Sequence, residues 1–353
     1  MINLNGLKTY GNANLIENLK GKKPFFICTI ATTATCKIQN ISGAGANTEL
    51  MVYTPAGDCE LMIHGELLCC DIPPQTVSNG ASAPTPAMIS KGMIELTNMP
   101  FLIANAGCEV NPDVPYILIN DKAGEDIRTG LAVDNPEKIF ENSKIIAKEI
   151  SKTCDYLVVG ESIPAGTTTA LGVLTALGYD ANFKVSGSSP ENPHELKKDT
   201  VYEGISKSDI KIGEFNSFEA VRVVGDPMIP TVAGMALGSE KPVILAGGTQ
   251  MAAVCAFIKN LVPDYDFSKI CLGTTAYVAR DETADLIDLI SQIGEITINV
   301  VDPYFEKSKN KGLNNYLKGF VKEGAGAGGT MLTALLLGYS IDDIRKKIEE
   351  VLE

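Results

Sequence analysis

Glu323 stands directly before Gly324, Gly326, Gly328 and Gly329 in the stretch Phe-Val-Lys-Glu-Gly-Ala-Gly-Ala-Gly-Gly-Thr, residues 320 to 330. A carboxylate held beside backbone that carries almost no side chains could act as a general base on a flat substrate, because glycine lets the chain approach without obstruction. Gly324, Gly326 and Gly329 also satisfy G-x-G-x-x-G, the fingerprint of dinucleotide binding. That motif needs a strand before it. The preceding residues instead carry helical spacing, with Leu313, Tyr316, Leu317, Phe320 and Val321 between Gly312 and Lys322. A close-packed helix-to-helix turn remains the plain structural alternative.

A second acid, Glu161, belongs to one of four small-residue turns: Gly160-Glu161-Ser162, Gly225-Asp226-Pro227, Gly247-Gly248-Thr249 and Gly273-Thr274-Thr275. Each follows a short apolar run that reads as a strand: Tyr156 to Val159, Val221 to Val224, Val243 to Ala246 and Ile270 to Leu272, with Ile296 to Val301 as a fifth. Helical patterns lie between them, including Pro136 to Lys152, with proline in its first turn, and Asp281 to Ile293, with Leu286, Leu289, Ile290 and Ile293 on one face. Strands alternating with helices predict a doubly wound, mostly parallel α/β sheet, Rossmann-like in class. Ligands of such sheets bind beyond the carboxyl ends of the strands. There the free N–H groups of helix N-termini, with hydroxyls, hold phosphate. Glu161 and Glu323 should therefore face one cleft with the Gly247-Gly248 and Thr274-Thr275 turns.

The first third is less regular. Phe25 to Ala31 and Phe101 to Ala104 read as strands, and Asp71 to Pro86 as a loop rich in Pro, Ser and Thr. Met51 to Tyr53 and Leu61 to His64 suggest a mixed or antiparallel extension. Residues 1–20 and 340–353 are amphipathic ends expected to form a small helical part, leaving 21–339 as the α/β domain. Cys59, His64, Cys69 and Cys70 could supply soft ligands, but their spacing matches no usual zinc pattern, and no metal is expected.

A net charge of −13 over 353 residues, with no basic cluster, argues against a nucleic-acid partner. No run approaches the ~18 apolar residues of a membrane helix, and no early segment reads as a secretion signal. Nine scattered cysteines suit buried thiols in a reducing compartment, so a cytoplasmic protein acting on small molecules is expected.

With these turns laid out, residues 150–340 resemble the nicotinate-nucleotide:dimethylbenzimidazole phosphoribosyltransferases of cobamide synthesis, in particular their archaeal branch. Gly160-Glu161-Ser162-Ile163-Pro164-Ala165-Gly166-Thr167-Thr168 looks like the family's G-E-x-G-x-x-N-T-T, and Lys322-Glu323-Gly324-Ala325-Gly326-Ala327 like its G-E-G-x-G-A. Val185 to Pro190, followed by Lys197 or Lys198, is similar to its glycine-rich loop and downstream lysine. Pro242 to Phe257 resembles its strand, turn and Ala-rich helix, and Thr274 and Thr275 fall where it has a serine-containing loop.

The resemblance implies a homodimeric, metal-free and cofactor-free transferase that moves phosphoribose from nicotinate mononucleotide to a ring nitrogen of an aromatic base, with inversion. It implies Glu323 as base and Glu161 on the ribose hydroxyls or assisting proton transfer. Gly160, Thr167, Thr168, Gly187, Ser188, Lys197 or Lys198, Gly247, Gly248, Thr274, Thr275, Gly324 and Gly326 would bind substrate. Cys28-Thr29-Ile30-Ala31-Thr32-Thr33 departs from the bacterial Asp-His-Gly segment, and Ile163 and Gly166 replace a family Gly and Asn. Dimethylbenzimidazole, adenine or another purine or azole stay open as acceptors. So do two other readings, a nicotinamide-dinucleotide oxidoreductase and a binding protein without chemistry.

Overall fold

The structure, a computed structural model, describes residues 5–353. Ten strands occur in chain order: β1 (Leu7–Tyr10), β2 (Pro24–Ile30), β3 (Gln75–Ser78), β4 (Ala81–Pro84), β5 (Phe101–Asn105), β6 (Ile117–Leu118), β7 (Tyr156–Ser162), β8 (Val243–Ala246), β9 (Ile270–Thr275) and β10 (Thr297–Val301). Eight form one sheet in the order β1-β10-β9-β8-β7-β2-β5-β6. All its pairings are parallel except β1 against β10. From β2 the chain steps outward to β5 and β6, returns to the other side of β2 as β7, and then runs the opposite way through β8, β9 and β10. The order reverses between β2 and β7, where Thr29 pairs with Glu161 and Ile30 with Ser162.

Every residue of β7 is buried, because helices cover both faces of a parallel sheet. Leu157 and Val159 point into one core, which the helices Pro136–Ser151, Met228–Gly238 and Thr249–Leu261 complete. Tyr156 and Val158 point into the other, beneath the helices Ala87–Thr97 and Ala327–Leu336. Of the end segments, residues 1–4 lie outside the described residues; β1 joins the sheet edge. Ile16, Leu19, Ile344 and Ile348 share the second core with β2 and β7.

Several expected elements differ. Val221 to Val224 is the last turn of a helix, Ser217–Val224, started by a capping box in which Asn216 and Glu219 satisfy each other's backbone N–H groups. A four-residue apolar run fits strand and buried helix equally, and the cap decides here. Met51–Tyr53 is a 3-10 turn, and Leu61 falls in the helix Thr54–Ile63, which is buried on nearly every side and so shows no stripe. Asp71 to Pro86 holds the two-stranded β3–β4 hairpin rather than a bare loop. Before the glycines, helical structure runs only through Lys311–Asn314 and Asn315–Lys318, and Gly319 at φ +81° ends it.

Candidate active site

Glu161 sits at the carboxyl end of β7, at the switch point. Glu323 arrives on the loop that enters the helix Ala327–Leu336. Gly324, Ala325 and Gly326 have φ of +148°, +49° and +79°, a run of left-handed backbone that explains the glycines. The run turns the Ala325 N–H onto the Glu161 carbonyl at 2.6 Å, which ties the two acidic segments together. A Cβ on Gly160 would lie 2.5 Å from the Gly326 Cα, so glycine at both positions is what lets the loop lie on the strand.

The Glu323 carboxylate faces the cleft and is fixed by four donors. Gly324 N (3.2 Å) and Gly328 N (3.0 Å) donate to Oε1, while Thr275 N (2.9 Å) and Thr274 Oγ1 (3.3 Å) donate to Oε2. Burial outweighs these bonds and pushes its pKa up to about 7. To receive a proton the group must release one donor. Thr274, whose bond is the longest, can do so by turning its hydroxyl to accept.

Glu161 is pushed well above the carboxylate range, first by burial and then by the charges of Glu323, Asp226 and Asp58. Burial thus favours its neutral form, which can donate a hydrogen bond. Burial also raises Asp58 and Asp226 to about 6 each. A carboxyl whose pKa is raised on folding stabilises the protein below its unfolded pKa, and that contribution is lost as pH rises through the folded value. Glu161→Gln removes this liability. The melting temperature of the variant relative to wild type should rise from pH 5 to pH 8 in thermal scans. A difference that stays flat or shrinks would count against a raised Glu161 carboxyl.

One part of the cleft carries donors suited to an anion. The Lys322 ammonium donates to the Gly187 carbonyl at 2.8 Å and pairs with Asp281 at 3.1 Å. Lys197 donates to the Ser186 carbonyl and to Asn192 Oδ1, both at 2.8 Å. The Ser188 carbonyl accepts from Val321 N at 3.0 Å. With these carbonyls drawn to protein donors, the N–H groups of Gly187 and Ser188 have no acceptor among the described residues. The first turns of the helices Gly166–Ala176 and Thr249–Leu261 line the same cleft. Backbone N–H groups and helix N-termini of this kind can hold an anion. Burial, and then Lys322, lowers Lys197 to about 7.

Glu161, Glu323, Thr167, Gly187, Ser188, Gly248 and Gly324 line one cleft. Gly160 and Gly326 lie behind, as the close approach of loop and strand. Thr274 and Thr275 hold Glu323 from behind, and the Gly247 N–H is bound to the Gly273 carbonyl. Thr168 is buried in the helix start and Lys197 supports the loop from beneath. Lys198 stays on the surface, paired with Glu195 at 3.2 Å, and does not reach the cleft. Asp226 is not at a strand end: it caps the helix Met228–Gly238 through Met228 N and Ile229 N at 2.9 and 3.1 Å, as its place before Pro227 foretells. Cys59 is buried in its helix, and among the described residues no three His, Cys, Asp or Glu side chains group as a metal site. Asp58 and Lys322 line the cleft without having been expected there. A lysine where the resembling family has glycine was the available signal for Lys322; Asp58 gave none.

The chain is 52% identical over 348 residues to a UPF0284 protein of Methanothermobacter thermautotrophicus, covering 98% of this chain and 97% of the relative. It is 44% identical over 337 residues to a UPF0284 protein of Methanosarcina mazei, covering 94% and 95%. A UPF0284 protein of Sulfolobus acidocaldarius is 41% identical over 347 residues, covering 96% and 98%. No protein-family model matches. Two solved structures from Thermus thermophilus share the fold. CobT has a TM-score of 0.58 at 14% identity, over 94% of this chain and 84% of that one. A structure described as nicotinate-nucleotide-dimethylbenzimidazole phosphoribosyltransferase has a TM-score of 0.60 at 13% identity, over 96% and 89%. No helix of the described residues is long and apolar enough to cross a membrane.

Proposed function

From the premise that this chain belongs to the UPF0284 protein family and has the fold of those two structures, we propose that it is a phosphoribosyltransferase. It moves phosphoribose from nicotinate mononucleotide to an aromatic base, giving an α-ribazole phosphate-type nucleotide for a cobamide lower ligand and releasing nicotinate. The observation that carries this reading is that Glu161 and Glu323, from distant segments tied together through Ala325 N–H and the Glu161 carbonyl, line one cleft with the Gly187–Ser188 N–H groups. The phosphate takes the N–H groups of Gly187 and Ser188 and the helix start at Thr167, with Gly248 beside it and Lys197 and Lys322 behind. Protonated Glu161 donates to a ribose hydroxyl.

A ring nitrogen of the base attacks C1′ as the bond from C1′ to the nicotinate nitrogen breaks. The bonding pair stays on nicotinate, neutralising its ring, and the proton of the base's N–H goes to Glu323. Residues 21–339 carry this chemistry, while the chain ends, strand β1 included, complete the sheet edge and the second core. The protein works as a cytoplasmic homodimer. Incubating it with nicotinate mononucleotide and a panel of bases should liberate nicotinate only when a base is present. Absence of release with every base would overturn the proposal.

A further inference from the structure

We infer that Asp58 selects the acceptor, so that the preferred base is a heteroaromatic ring bearing an N–H substituent, of the aminopurine class, rather than a ring with an alkyl edge. This rests on the transferase reading above. Asp58 and Thr54, one turn apart on the helix Thr54–Ile63, both line the cleft from the first third of the chain. Thr85 Oγ1 donates to one carboxylate oxygen of Asp58 and Ser162 Oγ to the other, each at 2.6 Å. A carboxylate has about four lone-pair sites, so each oxygen keeps one for a ligand.

The neighbouring hydroxyls share this bias. Ser162 and Thr85 commit their hydrogens to Asp58, Thr54 donates to the Ala44 carbonyl at 2.6 Å, and Thr76 donates to the Gly43 carbonyl at 2.8 Å. What these four side chains can turn toward the cleft is acceptor alone. Gln75, whose amide can both donate and accept, is the exception. Pro74 and Pro86 add flat apolar surface suited to the faces of a ring. A ring whose edge carries methyl groups would desolvate Asp58 without giving it a donor, whereas an exocyclic amine satisfies it.

The test is equilibrium binding of adenine, unsubstituted purine and dimethylbenzimidazole to the full chain in the absence of nicotinate mononucleotide, so that no turnover intervenes. Adenine and purine differ only in the exocyclic amine. Wild type should bind adenine roughly tenfold or more tightly than either of the others, the effect of one hydrogen bond to a charged group. Asp58→Ala should bring the adenine-to-purine ratio close to one. Purine or dimethylbenzimidazole binding as tightly as adenine, a ratio unchanged in Asp58→Ala, or no binding of any of the three would each overturn the inference. The wild-type comparison stands even if the variant does not fold. A binding preference without nicotinate release would leave the role of Asp58 intact and sink the transferase reading. Release driven best by dimethylbenzimidazole would do the reverse.

Discussion

Glu323→Gln is expected to lose roughly 10²- to 10⁴-fold in kcat while keeping its affinity for nicotinate mononucleotide. That loss corresponds to about 3 to 5 kcal/mol of transition-state stabilisation. Glutamine fills the same space but cannot take the proton of the attacking base. Its amide must also place an NH2 against backbone donors, Thr275 on one side or Gly324 and Gly328 on the other. A lower melting temperature should therefore accompany the kinetic loss, about 1 to 3 kcal/mol for an orphaned buried donor. Glu323→Asp retains basicity and separates the two effects. Its kcat should exceed that of the Gln variant even where its stability does not. In wild type, kcat should fall as pH drops below about 7, where Glu323 becomes protonated. A Gln variant that keeps more than about a third of wild-type kcat, with chemistry rate-limiting, would remove Glu323 as the base.

Lys322→Met should be the most destabilising change around the cleft. Asp281 has a side chain only 3% exposed and would lose its ion-pair partner Lys322, leaving Ser186 and Thr283 as donors among the described residues. Breaking a buried pair from one side costs about 3 to 5 kcal/mol. The Gly187 carbonyl would lose its donor as well, so affinity for nicotinate mononucleotide should fall with stability. Adding Asp281→Asn removes the stranded charge, and the double variant should regain much of the stability but not the affinity. Chemical denaturation and titration with nicotinate mononucleotide read the two separately. If the double variant is no more stable than the single one, the pair is not what holds the Ser186 to Ser188 loop.

The second half of the fold was readable because its strands are short apolar runs punctuated by glycine, and two of its helices, Pro136–Ser151 and Leu286–Ile293, have one buried face. The first half was harder for a physical reason. In the helix Thr54–Ile63 nearly every residue is buried, Asp58 and Glu60 included, so no amphipathic period marks it. Glu60 is there to accept from the N–H groups of Leu68, Cys69 and Asp113 at 2.7, 2.9 and 2.9 Å, a structural task that nothing local announces. At the cleft, the acid-glycine pattern around Glu161 and Glu323 marked both carboxyls, whose backbones the Ala325 N–H joins. Asp58 escaped notice because its partners, Thr85 and Ser162, lie 27 and 104 residues away. Lys198 and Lys197 could not be told apart by spacing; burial separates them.

The most direct test of the account is the identity of what forms from nicotinate mononucleotide and an accepted base, measured by mass spectrometry for stoichiometry and by NMR for the configuration at C1′. In-line displacement predicts one α-configured base nucleotide for each nicotinate released. Nicotinate accompanied by free ribose 5-phosphate, or a nucleotide that keeps the β configuration, would contradict it.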